Sequence, residues 1–361
     1  MNNLKQFVSL LLVAVLLLSA CGAEKVGTST PSGQSPQQML IDASRSYFQF
    51  DIKPIEVSHG EDYVIEWEDE GMEAHIRFLL DKPKGDILHS DVWDVQILLF
   101  DPLSGIPHDV LLTEPLEGWD SFFWETIIYN EYQDEAWHSY GFQDFPDIQS
   151  LEDLRHFDSL QLLDITGRMT GIIDPAGLEN CVHLKKLCVE NASAELLNIA
   201  AGLTELEILI IDSNDQVDLS PLAGHPSLQT LRLANQQLSS LEPLATIPKL
   251  RALNLDEAVF PDLEPLTQTN LEALSIGLSQ SGRGMYSDLD YEPLSRIKTL
   301  VYLELDNHTA FDVDDCAKVL EGCTALKYLD FNYTSAADAY ASGDWTPDLS
   351  RLEAYQAAKS R

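Results

Sequence analysis

The chain has 361 residues, with 22 Lys and Arg against 59 Asp and Glu, a formal net charge of −37 and 45% hydrophobic content. That apolar share excludes disorder for the body of the chain, and the charge repels nucleic acid and anionic lipid head groups, so neither is an expected partner. The acid excess reads mainly as solvated surface, with a cationic or calcium-bridged partner as the sharper reading.

Lys5 is followed by an apolar run from Phe7 to Leu18, broken only by Ser9. This run is too short to span a bilayer, so it reads as a cleaved secretory signal and not as a membrane helix. Leu18-Ser19-Ala20-Cys21 closes it and resembles the lipobox of bacterial lipoproteins. The resemblance implies that Cys21 becomes lipidated and N-terminal after cleavage. The other reading is an ordinary signal peptide that contains a cysteine. Removing residues 1–21 takes away Lys5 and no acid, so the net charge moves from −37 to −38. Multiple acyl chains anchor stably, which makes the lipid the only expected link to a membrane. Residues 22–38, rich in Gly, Ser, Thr, Pro and Gln, are expected to form a flexible tether. The expected location is the cell envelope, outside the cytoplasm.

Residues 39–94 form an N-terminal region. Within it Met72, Ile76, Leu79 and Leu80 share one helical face, which Lys82-Pro83 ends. From Val95 onward, Val95-x-x-Leu98-x-Phe100 reads as a first strand. The pattern L-x-x-L-x-(L/I/V/F) then recurs at Leu160, in degenerate form, and at Leu184, Leu206, Leu228, Leu250 and Leu271, in steps of 22, 22, 22 and 21 after Leu184. Longer copies start at Leu300 and Leu326. The 65 residues from Val95 to Leu160 are close to three periods. Trp119-x-x-Phe122-x-Trp124 and Trp137-x-x-Tyr140-x-Phe142 are the degenerate strands expected in that gap. Ten aromatics crowd residues 119–145: Trp119, Phe122, Phe123, Trp124, Tyr129, Tyr132, Trp137, Tyr140, Phe142 and Phe145. They read as a glycan or peptide site or, the favoured reading, as the core of degenerate coils.

A fixed period of 20–29 residues with this signature specifies a leucine-rich-repeat solenoid. In the Leu228 copy, Leu231 and Leu233 alternate with Thr230, Arg232 and Ala234, the period of a strand with one buried face. Leu238, Leu241, Leu244 and Ile247 recur every three residues and suit 3₁₀-like return turns. Pro221, Pro243, Pro265 and Pro293 each precede a return-side leucine, where no ladder donor is needed. The position that suits a buried asparagine ladder holds Asn214, but Gln236, Ala258, Ser279 and His308 elsewhere; Asn191, Asn235 and Asn307 lie one residue early. Cys181 and Cys323 stand three residues before coil-opening leucines and read as buried thiols. Cys188 is read on the concave side and Cys316 on a return helix, with no disulfide of consequence.

The coil at Leu228, with L-E-P-L followed by I-P-K-L, resembles the 22-residue repeats of internalin-like and SDS22-like bacterial proteins, as does its neighbour at Leu206. Val64 to Val95, with E-x-x-I-R-x-x-L and then K-P-x-G-D-I, is similar to the helical N-terminal cap of the same families. The resemblance implies an α/β solenoid with a parallel sheet on the concave face, short 3₁₀ or helical returns on the convex face, and a helical cap. The repeat domain runs over residues 95–335, degenerate over 95–159 and regular over 160–335. A tail at 336–361, with Leu349, Leu352 and Tyr355 at helical spacing, either caps the last coil or docks elsewhere. The resemblance also implies protein–protein contact, including adhesion.

No catalytic constellation stands out. There is no H-E-x-x-H, G-x-S-x-G or C-x-x-C, and Gly282-Arg283-Gly284 lies in the insertion of the Leu271 coil. Asp312, Asp314 and Asp315 fail as a calcium loop, because the glycine and glutamate positions hold Ala317 and Cys323. The histidines lack ligand spacing. No enzyme activity, metal or cofactor is expected. Recognition by the concave face remains, with candidate ligand-binding residues Ile208, Ile210, Asp212, Arg232, Asp256, Tyr302, Glu304, Asp306, Tyr328 and Asp330. Ile208 with Ile210, and Tyr302 with Tyr328, are taken as exposed anchors, and the acids would steer a basic protein or peptide. The bland alternative is that these positions drift freely. The functional reading is a non-enzymatic, lipid-anchored envelope binding module. Its rivals are a structural envelope protein without a specific ligand, and glycan or cell-wall binding through residues 119–145.

Overall fold

The computed structural model describes residues 25–27, 35, 38–40, 43, 53–100, 110–112, 146–165, 174–189, 193–212, 216–278 and 286–359. The strands in these ranges are β1 Lys25–Gly27, β2 Ile97–Leu99, β3 Val110–Leu112, β4 Leu162–Asp164, β5 Lys186–Val189, β6 Ile208–Asp212 and β7 Gln216–Val217. There follow β8 Thr230–Ala234, β9 Gln237–Leu238, β10 Ala252–Asn254, β11 Ala273–Ser275, β12 Tyr302–Glu304, β13 Tyr328–Asp330 and β14 Ala354–Ala357. One sheet has the order β1-β14-β13-β12-β11-β10-β8-β6-β5-β4-β2-β3, and β7 pairs separately with β9.

From β2 to β14 each neighbour in that sheet is parallel. The register places Leu98, Leu163, Leu187, Leu209, Leu231, Leu253, Leu274, Leu303 and Leu329 in one row. Every one of these leucines is fully buried. A single coil has no second layer to cover such a row; stacking neighbours supplies it. At about 1.5–3 kcal/mol for each buried leucine, this spine is the main cohesive element. The chain is a leucine-rich-repeat solenoid.

The returns follow the local sequence. Short 3₁₀ turns at Ser220–Leu222, Glu242–Thr246, Glu264–Gln268 and Glu292–Arg296 carry Pro221, Pro243, Pro265 and Pro293 in their first turn, where a missing N–H costs nothing. Two returns that lack proline and are rich in helix formers are α-helical, α2 Ala194–Gly202 and α3 Val313–Gly322. Asp312 caps α3 by accepting from Asp314 N at 2.9 Å and Asp315 N at 3.0 Å, so the acidic triplet is a helix start. Upstream, α1 Glu70–Leu79 is capped by Asp69, which accepts from Met72 N at 2.7 Å. Met72 and Ile76 are fully buried, and His75 meets Phe100 edge-on at 5.4 Å. Asp69 also accepts from Gln149 N and Ser150 N, while Asp153 accepts from Glu68 N and Asp69 N. Those bonds tie α1 to the neighbouring coil.

Two expectations change, and one left open is decided. β2 pairs directly with β4, so the ladder has no room between them for the two degenerate strands placed at Trp119 and Trp137, which themselves lie outside the described residues. Lys25–Gly27, assigned to the flexible tether, pairs antiparallel with β14. It covers one sheet edge, as β3, antiparallel to β2, covers the other. The tail joins the stack: α4 Ser335–Ser342 leads to β14, parallel to β13, with Leu349 and Leu352 buried in the main core. Cys21 and residues 279–285 also lie outside the described residues.

The misplaced asparagines have a conformational reason. Asn235, Glu257, Asn307 and Tyr333 all stand seven residues after a coil-opening leucine, and all have φ between 57° and 62°. Asparagine tolerates this left-handed region better than most L-residues do. Glu257→Asn is therefore expected to stabilise the fold by about 0.5–1 kcal/mol, read as a raised denaturation midpoint at unchanged slope. One residue later, Gln236 does the work of a ladder asparagine: buried, it donates through Nε2 to Ala234 O at 3.0 Å and Ile211 O at 3.4 Å. His308 serves likewise, bonded to Ile276 O and, through Nδ1, to Tyr291 OH at 2.9 Å.

The four cysteines among the described residues are free and buried. Cys181 and Cys323 each reach back one coil, to Leu154 O at 4.0 Å and Leu294 O at 3.0 Å. Burial pushes their thiols up to about 12 and about 11, which suppresses thiolate chemistry. Among the described residues, no helix is long and apolar enough to cross a membrane.

Candidate functional site

Alternate strand residues point away from the leucine spine and form columns across the coils. In the first column Lys186, Ile208, Thr230, Ala252, Ala273 and Tyr302 are aligned by the register, and each is at most 4% exposed. Ile208 and Tyr302, at 3% each, are thus not the exposed anchors expected of them. Tyr302 packs in a small cluster with Met39, Leu40, Ala43, Ala252, Ala273 and Ala354, and Tyr328 lies half-buried against it. The tyrosine hydroxyls are engaged as well: Tyr302 donates to Glu304 Oε2 and Tyr328 to Glu353 Oε2, both at 2.7 Å.

The second column holds Ile210, Arg232, Asn254, Ser275, Glu304 and Asp330. Ile210, Arg232, Glu304 and Asp330 are half-buried. Asp212 is placed by its backbone opposite Ala234.

Two of the predicted acids, Asp256 and Glu304, meet at β10–β12. Asp256 accepts at Oδ1 from Ser275 Oγ (2.6 Å) and Gly277 N (2.7 Å), and at Oδ2 from Asn254 Nδ2 (2.6 Å). It therefore leans across onto the next coil, and Gly277 gives it room: a Cβ there would stand 3.2 Å from Asp256 Oδ1 and 3.8 Å from Glu304 Oε1. Burial first, then the Asp256 charge, push the Glu304 carboxyl up, against the opposing bonds from Tyr302 and Ser275. Asp306 is half-buried in the following coil and Asp330 in the one beyond it, and the room that Gly277 leaves is taken by the Asp256 carboxylate. A cation placed beside Glu304 would relieve the raised carboxyl.

A second grouping escaped the sequence reading because its members are far apart in the chain. Coil stacking gathers His59, His89 and His156 with Tyr63, Trp93 and Asp158. His59 bridges Asp158 and Asp94 at 2.9 Å each and stacks on Trp93 at 4.5 Å. Tyr63 stacks on His89 at 4.6 Å, and its hydroxyl bonds His156 Nδ1 at 2.7 Å. Among the described residues no group of three or more His, Cys, Asp or Glu is arranged to hold a metal ion.

The chemistry of this grouping is pH-dependent stability. Burial, helped by the charges of Arg155 and His89, lowers His156 to about 4, and burial lowers His308 to about 4. For both, the unfolded chain binds the proton more readily, so stability falls as pH drops below 6.5 and continues to fall toward 4. Burial opposes protonation of His59, yet its bonds with Asp158 and Asp94 outweigh that and raise it. Its contribution has the opposite sign and partly offsets the other two. Going from pH 7 to pH 4.5, His156 and His308 are each expected to cost on the order of 2–3 kcal/mol. Urea midpoints at the two pH values check this, and His308→Asn should flatten the dependence.

No protein-family model matches the chain, and none of the curated proteins does. Among solved structures, internalin C2 from Listeria monocytogenes str. 4b F2365 is similar with 18% identity and a TM-score of 0.44, covering 70% of this chain and 90% of that one. An internalin (inlF) from the same strain is similar with 16% identity and a TM-score of 0.42, over 74% of this chain and 69% of its own. An LRR protein of Leptospira interrogans follows with 15% identity and a TM-score of 0.34, over 51% and 52%.

Proposed function

We propose that this chain is an exported, lipid-anchored, non-enzymatic recognition module of the bacterial cell envelope. It binds a protein or peptide through the acidic part of its concave face, and a basic side chain of the ligand pairs with the carboxylates of that face. The observation that carries this reading is the arrangement of Asp256, Gly277 and Glu304, whose Glu304 carboxyl is raised by burial and then by the Asp256 charge. A net charge of −37 would steer a basic partner toward it. Export and lipidation rest on the apolar run ending in Leu18-Ser19-Ala20-Cys21, and a rigid row of strands suits a preformed binding face.

Asp306→Lys combined with Asp256→Asn tests the reading. The asparagine retains an acceptor for Gly277 N, so the melting temperature should move by only a few degrees. Capture of the envelope partner, quantified after crosslinking in the native host, should fall at least tenfold. Undiminished capture by a folded double variant would refute the acidic site.

A further inference from the structure

The amino-terminal stretch is fastened to the far end of the stack. Lys25, Val26 and Gly27 pair antiparallel with Ala357, Gln356 and Tyr355 of β14. Met39, Leu40 and Ala43 are buried in a small cluster that includes Tyr302 and Ala354, so a second part of the same stretch also lies on the later coils. Because the pairing is antiparallel, Lys25 stands at the carboxyl end of β14. Cys21 is four residues before Lys25, and four residues reach at most about 14 Å. A free tether over residues 22–38 would span about 20–25 Å on average and leave every orientation open.

The charge at this end departs from that of the chain. Over residues 351–361 the side chains of Arg351, Lys359 and Arg361 stand against Glu353 alone, a net +2, whereas the whole chain carries −37. Glu353 is itself paired with Lys327 at 2.7 Å, and Arg351 and Lys359 are exposed. Basic side chains are drawn to anionic head groups once they lie within about a Debye length, ~8–10 Å, of them. The acidic remainder of the chain is repelled by the same surface.

We propose that the β14 end of the solenoid is a membrane-docking surface, seated on the anionic leaflet that holds the acylated Cys21, with the α1 cap pointing outward. The docking rests on the lipid-anchored reading of the chain and adds an orientation and a lipid contact to it. Nine strand-to-strand steps separate β14 from β2, about 43 Å along the sheet at ~4.8 Å each. The cap end therefore stands clear of the head groups while the last coil touches them.

The test uses the full chain, expressed with its own leader in a bacterial host and carrying a fluorescent amino acid at Ser350 in the last coil or at Lys84 after α1, both exposed. The mature protein is reconstituted in phosphatidylglycerol vesicles containing a rhodamine-labelled lipid. Energy transfer from position 350 should exceed that from position 84 at least threefold. Val26→Pro, which disrupts β1, should bring the two values together, and an undiminished difference would rule out β1 as the orienting contact. Phosphatidylcholine in place of phosphatidylglycerol should lower the transfer at position 350; no change there would overturn the head-group contact. Equal transfer from both positions in an acylated chain, or more from position 84, would overturn the docking and leave the anchor standing. Mass spectrometry of the same preparation reads the anchor separately, and a mature chain with no acyl mass on Cys21 would refute the lipid-anchored reading and the docking with it.

Discussion

Leu253→Ala is expected to lower stability by about 3–5 kcal/mol, the range for opening a cavity at a fully buried leucine. Leu253 is fully buried, with Leu231 and Leu274 aligned on either side. The neighbouring coils are held by their own strand pairing and cannot collapse into the space. Denaturant unfolding measures the loss, and Val259→Ala, at a return position 42% exposed, should stay within about 0.5 kcal/mol. A solenoid makes a second demand. Coils contact only their neighbours, so Leu253→Ala with Leu231→Ala should deviate from additivity, whereas Leu253→Ala with Leu98→Ala should add. A compact globular core would couple both pairs.

The second large effect reverses an ordinary rule. Alanine normally improves a helix over glycine by about 1 kcal/mol. Gly202 and Gly322 each end a return helix, α2 and α3, and each stands four residues before a coil-opening leucine. A Cβ on Gly202 would meet nothing within 4 Å, whereas on Gly322 it would stand 2.0 Å from Ser295 O and 2.7 Å from Ser295 C. The obstacle at Gly322 is backbone of the preceding coil, which cannot rotate away. Gly322→Ala is therefore expected to cost about 1–3 kcal/mol, while Gly202→Ala is neutral or stabilising. Thermal melting of the two single variants separates them.

The leucine row was legible because its spacing follows from what the fold must bury. The return prolines were legible for the complementary reason, that only some positions tolerate a missing donor. The concave columns were legible as positions but not as surfaces. Period-2 alternation says which way Ile208 and Tyr302 point, and says nothing of what lies on top of them. The segment packed on Tyr302 was not legible, because nothing local to Met39, Leu40 and Ala43, at the start of the N-terminal region, marks which strand column they cover. Asp256 reads locally as one acid among many. Its reach into the next coil shows in the sequence only as the glycine at 277, a residue with no side chain to obstruct it. Nothing local marks His59, His89 and His156 as a group, because stacking alone brings them together.

The claim that matters most is that recognition runs through the acidic part of the concave face. A photo-crosslinking amino acid introduced at Asp306, or at Glu264 on the exposed return side, tests it in the native host. A partner should be captured at position 306 and competed away by rising salt, with position 264 silent. Capture at 264 with none at 306 would contradict the account.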